Sequence, residues 1–310
     1  MADNTIGWGQ GSVNNTNDWG KGKANSTNDW GSIYANSPSG DTNIEGGSAV
    51  NPDLFIIQVQ TDNTGTSADD QFTLPMVSGT YDVDWGDGNI DTSVSGTQTH
   101  TYASAGTYDI SVTATTGYIR FDNTGDKLKL LDIKQWGNIA WTNFISAFRG
   151  CSNLTGTATD IPDLSSVTSF SRAFLASGFN GSVSGWDTSG ITSFFGMFVA
   201  TPFNQDVSGW DTSSVTDMTN MFEIATAFDQ DISSWDINQV TQFGINFMRG
   251  VTLSTANYDA LLIAWDAQGT MSFSGTVNFG SSQYTLGGAA EAARTSLISK
   301  WGGITDGGGV

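Results

Sequence analysis

The stretch FNQDVSGWDTSSVTDMTNMF, residues 203–222, decides the fold because it recurs along the chain. A close copy begins FNGSVSGWDTS at residue 179, and a more divergent one starts at residue 228. The phenylalanines that close successive copies are 24, 24 and 25 residues apart, and they are Phe174, Phe198, Phe222 and Phe247. Phe148 lies 26 residues before the first of them. A period of this length is typical of repeat proteins, in which each unit buries its apolar side only against its neighbours.

The repeat predicts a stack of aromatic side chains. We expect equivalent residues of consecutive units to align, with Trp210 on Trp186 and Phe222 on Phe198. The predicted repeat core comprises Trp186, Trp210, Trp235, Phe174, Phe198, Phe222 and Phe247. Each unit should contain a short strand near Val215 and a short helical turn over residues 218–222. The Trp-Asp pairs are open to two interpretations: a sugar-stacking surface or, as we favour, a buried aromatic ladder with the Asp in a turn.

The repeat at 203–222, with the segments KQWG at 134–137 and CSNL at 151–154, resembles the BspA-type leucine-rich-repeat family of surface proteins. This resemblance implies a leucine-rich-repeat-like solenoid over residues 123–250. Members of the family serve in adhesion or surface recognition, so the resemblance implies no catalytic residues.

Residues 48–122 predict short strands separated by turns. Apolar or alternating runs occupy residues 54–59, 71–74, 80–85 and 106–112, and strands at this spacing are typical of a β-sandwich. The segments VDWGDG at 83–88, HTY at 100–102 and GTY at 106–108 resemble the polycystic-kidney-disease (PKD) type immunoglobulin-like domain. That resemblance implies a sandwich that serves as a spacer or binding module, in which His100 has a structural role near Tyr102.

Residues 1–47 are rich in Gly and Asn and carry Trp8, Trp19 and Trp30 at an 11-residue period. So few aliphatic side chains cannot form a core, which leaves a flexible linker as one interpretation. Evenly spaced tryptophans are instead typical anchors for another surface. The segment resembles the Trp-Gly/Asn-rich N-terminal segments of bacteriophage virion proteins, which implies attachment to other virion proteins through residues 1–47.

Residues 251–310 predict a small α/β cap for the open end of the stack. Ser254 or Thr255 should begin one helix, and residues 271–279 should form a strand. A second helix is predicted over residues 289–301, ended by the glycine pair at 302–303.

Composition excludes several classes of function. The 31 acidic against 11 basic residues give a net charge of −20, which disfavours nucleic acids and anionic membranes as partners. One cysteine, Cys151, and one histidine, His100, permit no intrachain disulfide and leave few catalytic groups. We expect no metal and no cofactor: Asp84, Asp87 and Asp91 do not have the spacing of an EF-hand loop and are expected in turns. The chain contains no signal-peptide pattern and no membrane-spanning apolar run.

The sequence therefore predicts a mainly β protein with no catalytic site: an extended tail, an Ig-like β-sandwich, a leucine-rich-repeat-like solenoid with short helices, and a cap. We expect a phage virion structural protein, a fibre or decoration protein on the virion surface, that presents a module for a host surface glycan or protein. The lack of an export signal fits particle assembly inside the host, and analogy with phage fibres favours a homotrimer. The alternatives are a bacterial cell-surface adhesin or glycan-binding protein, and a glycan-cleaving enzyme, although no carboxylate pair is marked for catalysis.

Overall fold

A computed structural model describes residues 51–269 and 273–310, and Asn51–Val310 form one compact unit. The predicted tail with Trp8, Trp19 and Trp30, and residues 271–272 of the predicted cap strand, lie outside the described residues. The fold is mainly β, with several sheets, none of them closed, and two helices in the described part. The elements are β1 (Phe55–Gln60), β2 (Gln71–Leu74), β3 (Met76–Ser78), β4 (Thr80–Asp84), β5 (Ile90–Ser95), β6 (Gln98–Thr101), β7 (Thr107–Ala114), β8 (Thr116–Ile119), β9 (Leu130–Gln135), β10 (Ala140–Trp141), β11 (Thr155–Gly156), α1 (Thr255–Ala267), β12 (Gly275–Asn278), α2 (Ala289–Trp301) and β13 (Gly302–Thr305).

The largest sheet has six strands in the order β11-β9-β1-β7-β4-β5. Strand β1 alternates buried and half-buried residues, because Phe55, Ile57 and Val59 point into the core. It pairs antiparallel with β7 on one side and with β9 on the other, so that Ile57 lies opposite both Ile110 and Ile133. Strand β9 belongs to the predicted repeat region and β1 to the predicted sandwich region. The sheet therefore runs across the predicted boundary at residues 122–123.

Two smaller sheets complete this half of the described chain. Strand β2 pairs antiparallel with β6, and a three-stranded sheet has the order β10-β8-β3. Residues 71–74, predicted as a strand, form β2 with those bounds. Buried Phe72, Leu74 and Met76 contribute to the same hydrophobic core as the β1 residues.

The repeats are joined to one another by backbone pairing. Parallel bridges link Ser169 to Ser193, Ser193 to Asp217, and Asp217 to Gln242. Further along each unit, a backbone N–H donates to a carbonyl oxygen of the following unit. These hydrogen bonds run from Phe174 to Met197 (3.1 Å), from Phe198 to Met221 (2.9 Å) and from Phe222 to Phe247 (3.0 Å). Consecutive units are thus successive rungs of one ladder. We call each such hydrogen-bonded stretch a rung.

The short helical turn predicted over residues 218–222 is absent, and that prediction was wrong. These residues form non-helical turns. The N–H of Phe222 donates forward to the next rung rather than back to residue 218, and Asn220 has a left-handed φ of 58°. The expected strand near Val215 is reduced to the single bridge at Asp217.

The C-terminal cap contains the two predicted helices. Ser254 is the N-cap of α1, and its hydroxyl accepts a hydrogen bond from the N–H of Asn257. Helix α2 spans the predicted residues and ends at Gly302, which adopts φ 111°. Strand β12 lies parallel to β13, and the N–H of Met248 donates to the carbonyl of Asn278 (2.8 Å). The cap thereby continues the ladder of the repeats.

Candidate functional site

All seven predicted repeat-core residues are buried, and the most exposed of them is Trp210 at 5%. The Phe198 ring stacks on Phe174 with centroids 5.8 Å apart and on Phe222 at 5.9 Å, and Phe247 meets Phe222 edge-on at 6.0 Å. The ladder of phenylalanines expected from the 24-residue period is present.

The tryptophans form a second ladder in which one expected contact is replaced. Trp210 and Trp235 stack with centroids 6.2 Å apart and an angle of 3° between their planes. We expected Trp210 to stack on Trp186. Instead, each indole stacks on a phenylalanine: Trp186 on Phe170 at 5.7 Å and Trp210 on Phe194 at 5.1 Å. Indoles that are at most 5% exposed cannot present a face to a sugar. The tryptophans therefore serve the stack.

The indole nitrogens connect each unit to the preceding one. Trp210 Nε1 donates to the carbonyl of Val183 (3.2 Å), and Trp235 Nε1 donates to that of Val207 (3.0 Å). On helix α1, Trp265 Nε1 donates to Ile232 (3.2 Å) in the same way. The helix thus takes the place of a further repeat.

An amide ladder on the outside of the stack was missed by the sequence analysis. Asn180 Oδ1 accepts the N–H of Asn204 (2.9 Å), and Asn204 Oδ1 accepts the N–H of Asp229 (2.9 Å). Asp229 Oδ1 then accepts the N–H of Ser254 (2.7 Å). The signal was available, since all three acceptors follow the first phenylalanine of a repeat.

The aspartates beside the tryptophans close turns. Asp187 Oδ1 accepts hydrogen bonds from the Ser189 hydroxyl (2.6 Å) and N–H (3.1 Å), and Asp211 Oδ1 accepts the Ser213 N–H (2.9 Å). These serine hydrogen bonds lower the pKa of both carboxyls below its usual value. The same turn occurs at Asp163, Asp206, Asp231 and Asp236. Ionised carboxylates held in this way are structural acceptors.

Exposed threonines form a column on the bridge side of the rungs. Thr192 Oγ1 donates to the carbonyl of Thr168 (3.1 Å), Thr216 Oγ1 to Thr192 (3.2 Å), and Thr241 Oγ1 to Thr216 (3.2 Å). All four residues are exposed to solvent. Each hydroxyl keeps its acceptor lone pairs free of any hydrogen bond within the described chain, so the column offers regularly repeated acceptors to an extended ligand.

His100 lies in a structural network of the β-strand region. Its Nε2 is 2.8 Å from Asp87 Oδ2, and its ring stacks on Trp85 with centroids 4.9 Å apart. The Tyr102 hydroxyl donates to the carbonyl of Trp85 (3.1 Å), and Trp85 Nε1 donates to Asp91 (2.9 Å). Burial raises the pKa of Asp87, but hydrogen bonds from His100 and an asparagine outweigh that effect and lower it. The contacts place His100 between the core aromatics and the turn.

A buried Asp–Lys cluster fixes the loop after β1. Asp126 Oδ1 accepts the N–H groups of Thr66 (2.8 Å) and Ser67 (3.0 Å), and Oδ2 accepts that of Thr73 (2.8 Å). Burial raises the pKa of Asp126, and the hydrogen bonds from Ser67 and Thr73 more than reverse it. Lys129 Nζ donates to the carbonyls of the same loop. A shallow depression of about 240 Å³ beside this cluster is lined mainly by Thr, Gly and Asn.

Within residues 51–269 and 273–310, no group of three or more His, Cys, Asp or Glu is arranged to hold a metal ion. Neither helix of this described part is both long and apolar enough to cross a membrane.

A family model described as "Mycoplasma protein of unknown function, DUF285" matches residues 142–272. The matched segment begins after β10, includes the repeats and extends past α1. No curated protein and no solved structure matches the chain. The chain is thus similar over its repeats to a family whose description names no activity.

Proposed function

We propose that this chain is a non-enzymatic bacteriophage virion structural protein, a head or tail fibre or decoration protein, that is attached by its N-terminal tail and presents a receptor-binding module. The observation that carries the proposal is the use of the repeat residues. The tryptophans and phenylalanines of the repeats hold consecutive rungs together, and the aspartates close the turns within each unit, which is the work of a rigid structural module.

The repeats form a leucine-rich-repeat-like solenoid over residues 123–250 in this proposal, closed by the cap at 251–310. Parallel bridges at a constant period support it, because a solenoid contacts only its neighbouring units. The aromatic stacks and the Trp Nε1 hydrogen bonds recur with the same period.

Residues 48–122 form a PKD-type Ig-like β-sandwich in this proposal. The separate sheets around the core of Phe72, Leu74 and Ile110 support it, as do the contacts of the VDWGDG and HTY segments. Because β9 joins the sheet of β1, the sandwich and the solenoid share a continuous hydrogen-bonded sheet. Such a joint resists bending, which suits a projecting module.

Attachment rests on the tail. Three tryptophans at a constant spacing offer repeated apolar anchors to other virion proteins. The exposed side of the solenoid, which bears the threonine column, is left for a host surface glycan or protein. Association of three copies through the tail would multiply weak contacts with such a receptor.

Cryo-electron microscopy and mass spectrometry of purified phage particles from the source test this function. We expect the full chain in the particle, with Trp8, Trp19 and Trp30 packed against another virion protein. Absence of the chain from purified particles would refute the proposal. Deleting residues 1–47 should release the protein from particles while the purified remainder keeps its melting temperature.

The second candidate is a bacterial cell-surface adhesin. The match to a family described for a bacterial genus favours it. Surface proteolysis of intact cells would detect this chain as an exposed protein, and its absence from particles would accompany that result.

A further inference from the structure

Three turn segments, residues 143–151, 169–177 and 193–201, lie side by side on consecutive rungs. The N–H of Ser146 donates to the carbonyl of Ser171 (2.9 Å), and the N–H of Arg172 donates to that of Phe195 (2.8 Å). The N–H of Ala176 likewise donates to Val199 (2.8 Å). We call the surface of these three segments the turn patch.

The turn patch is locally positive in a strongly acidic chain. Its three segments contain Arg149 and Arg172 and no Asp or Glu, whereas the whole chain has a net charge of −20. Arg149 pairs with Asp122 (3.0 Å). Arg172 is exposed and forms no salt bridge with any residue of the described chain. Its guanidinium carbon lies 4.7 Å from the centre of the half-buried Phe195 ring.

The backbone of Arg172 is strained. Its φ is 55°, and the equivalent residues of the other rungs are Ser146, Gly196, Asn220 and Gly244, all with positive φ. Gly and Asn tolerate this left-handed conformation, whereas a long side chain is uncommon there. An exposed Arg in this conformation, with no salt-bridge partner in the described chain and its guanidinium over an aromatic ring, is a local conflict of the kind that accompanies binding sites.

The form of the patch limits the ligand. The patch surface is formed by aliphatic side chains. Ile145 is 37% exposed, Ala176 and Ala200 are exposed, and Leu175 and Val199 are half-buried. Backbone groups of the segments are hydrogen-bonded to neighbouring rungs and do not offer an edge for strand addition by a peptide. A ligand that lies across the rungs and offers both C–H faces and anionic groups fits this surface.

We propose that the turn patch binds a carboxylate-bearing polysaccharide, in which Arg172 holds a carboxylate and the exposed apolar side chains of the patch pack against the sugar ring. The guanidinium fork suits a carboxylate, and stacking on Phe195 orients that fork. This inference rests on the proposed function and specifies its receptor class. The aspartates of the turns at 187 and 211 lie in other segments of each repeat. Asp217 and Glu223 lie on the rung beside the third segment, where Glu223 is paired with Arg249.

Binding of full-length protein to polygalacturonate in calcium-free 150 mM NaCl tests the proposal, with the fully methyl-esterified polymer as the neutral counterpart. Calorimetry should detect binding of polygalacturonate, and the methyl-esterified polymer should bind at least about tenfold more weakly. Arg172→Gly should lose about tenfold in affinity while its melting temperature stays within about 3 °C, because glycine relieves the strain. Arg249→Gln is the matched control: Arg249 is exposed on a later rung and pairs with Glu223, and its loss should leave the affinity unchanged.

The following binding results would overturn the proposal. No binding of polygalacturonate, or equal binding by Arg172→Gly, removes the site. If poly-L-glutamate binds as tightly as polygalacturonate or more tightly, the ligand class is an acidic peptide rather than a polysaccharide. If the chain is present in particles but does not bind polygalacturonate, the virion function stands and the binding site is refuted. If the chain binds polygalacturonate but is absent from particles, only the virion function is contradicted.

Discussion

Replacing Asn204 with alanine should weaken the contact between two consecutive repeats by about 1.5 kcal/mol. The Asn204 Oδ1 atom accepts the N–H of Asp229 (2.9 Å) and the Nε2–H of Gln230 (2.8 Å). A typical hydrogen bond contributes about 1 kcal/mol net. Gln230 keeps its second hydrogen bond, to the carbonyl of Asn204 (3.1 Å). Loss of its bond to the Asn204 side chain should therefore cost only about 0.5 kcal/mol. The half-buried Asp229 amide loses its acceptor entirely.

Urea titration followed by tryptophan fluorescence measures the change in unfolding free energy, and a thermal scan should show a loss of about 3–6 °C. Asn204→Asp is the matched control, because Asp229 occupies the equivalent position and accepts the N–H of Ser254 in the same way. It should stay within about 0.5 kcal/mol of the native protein. An unchanged Asn204→Ala variant, or an aspartate variant as unstable as the alanine one, would refute the role of the ladder.

Three further changes test other parts of the structure. Trp235→Phe should cost about 2–3 kcal/mol in urea unfolding, since it removes ring volume and the Nε1–H bond to the Val207 carbonyl. Ile224→Asn should raise stability by about 0.5–1 kcal/mol in the same assay, because Ile224 is 46% exposed at φ 59°. Burial raises the pKa of Asp306, but hydrogen bonds from Arg294 and other donors lower it overall. The ionised Asp306 therefore stabilises the fold above about pH 4, and this contribution is lost as the pH falls through the lowered pKa. Asp306→Asn should reduce the acid dependence of the melting temperature.

Each of these expectations has a contradicting result. A fully stable Trp235→Phe variant would show that the indole ladder adds nothing beyond ring packing. Destabilisation by Ile224→Asn would mean that the isoleucine is packed rather than strained. An unchanged slope of melting temperature against pH below pH 4 in Asp306→Asn would assign the acid sensitivity to other carboxyls.

Local patterns predicted much of the fold. The 24–25-residue period identified the repeat and the buried residues Phe198, Phe222 and Trp235. The start of α1 at a capping Ser254, and α2 ending before Gly302, also follow from nearby residues alone. Side-chain periodicity and helix capping act over a few residues, so they can be seen without the tertiary structure.

Long-range pairing was visible only in the structure. The sequence by itself determined that the units repeat, seven of the aromatic residues that they bury, where the first cap helix begins, and where the second begins and ends. The tertiary structure decided that β9 joins β1, that residues 218–222 form a rung instead of a helical turn, and that Arg172 lies over Phe195. The physical reason is that a hydrogen bond between residues 25 positions apart can override a local helical preference, and neither its register nor the resulting surface neighbours can be read from adjacent residues.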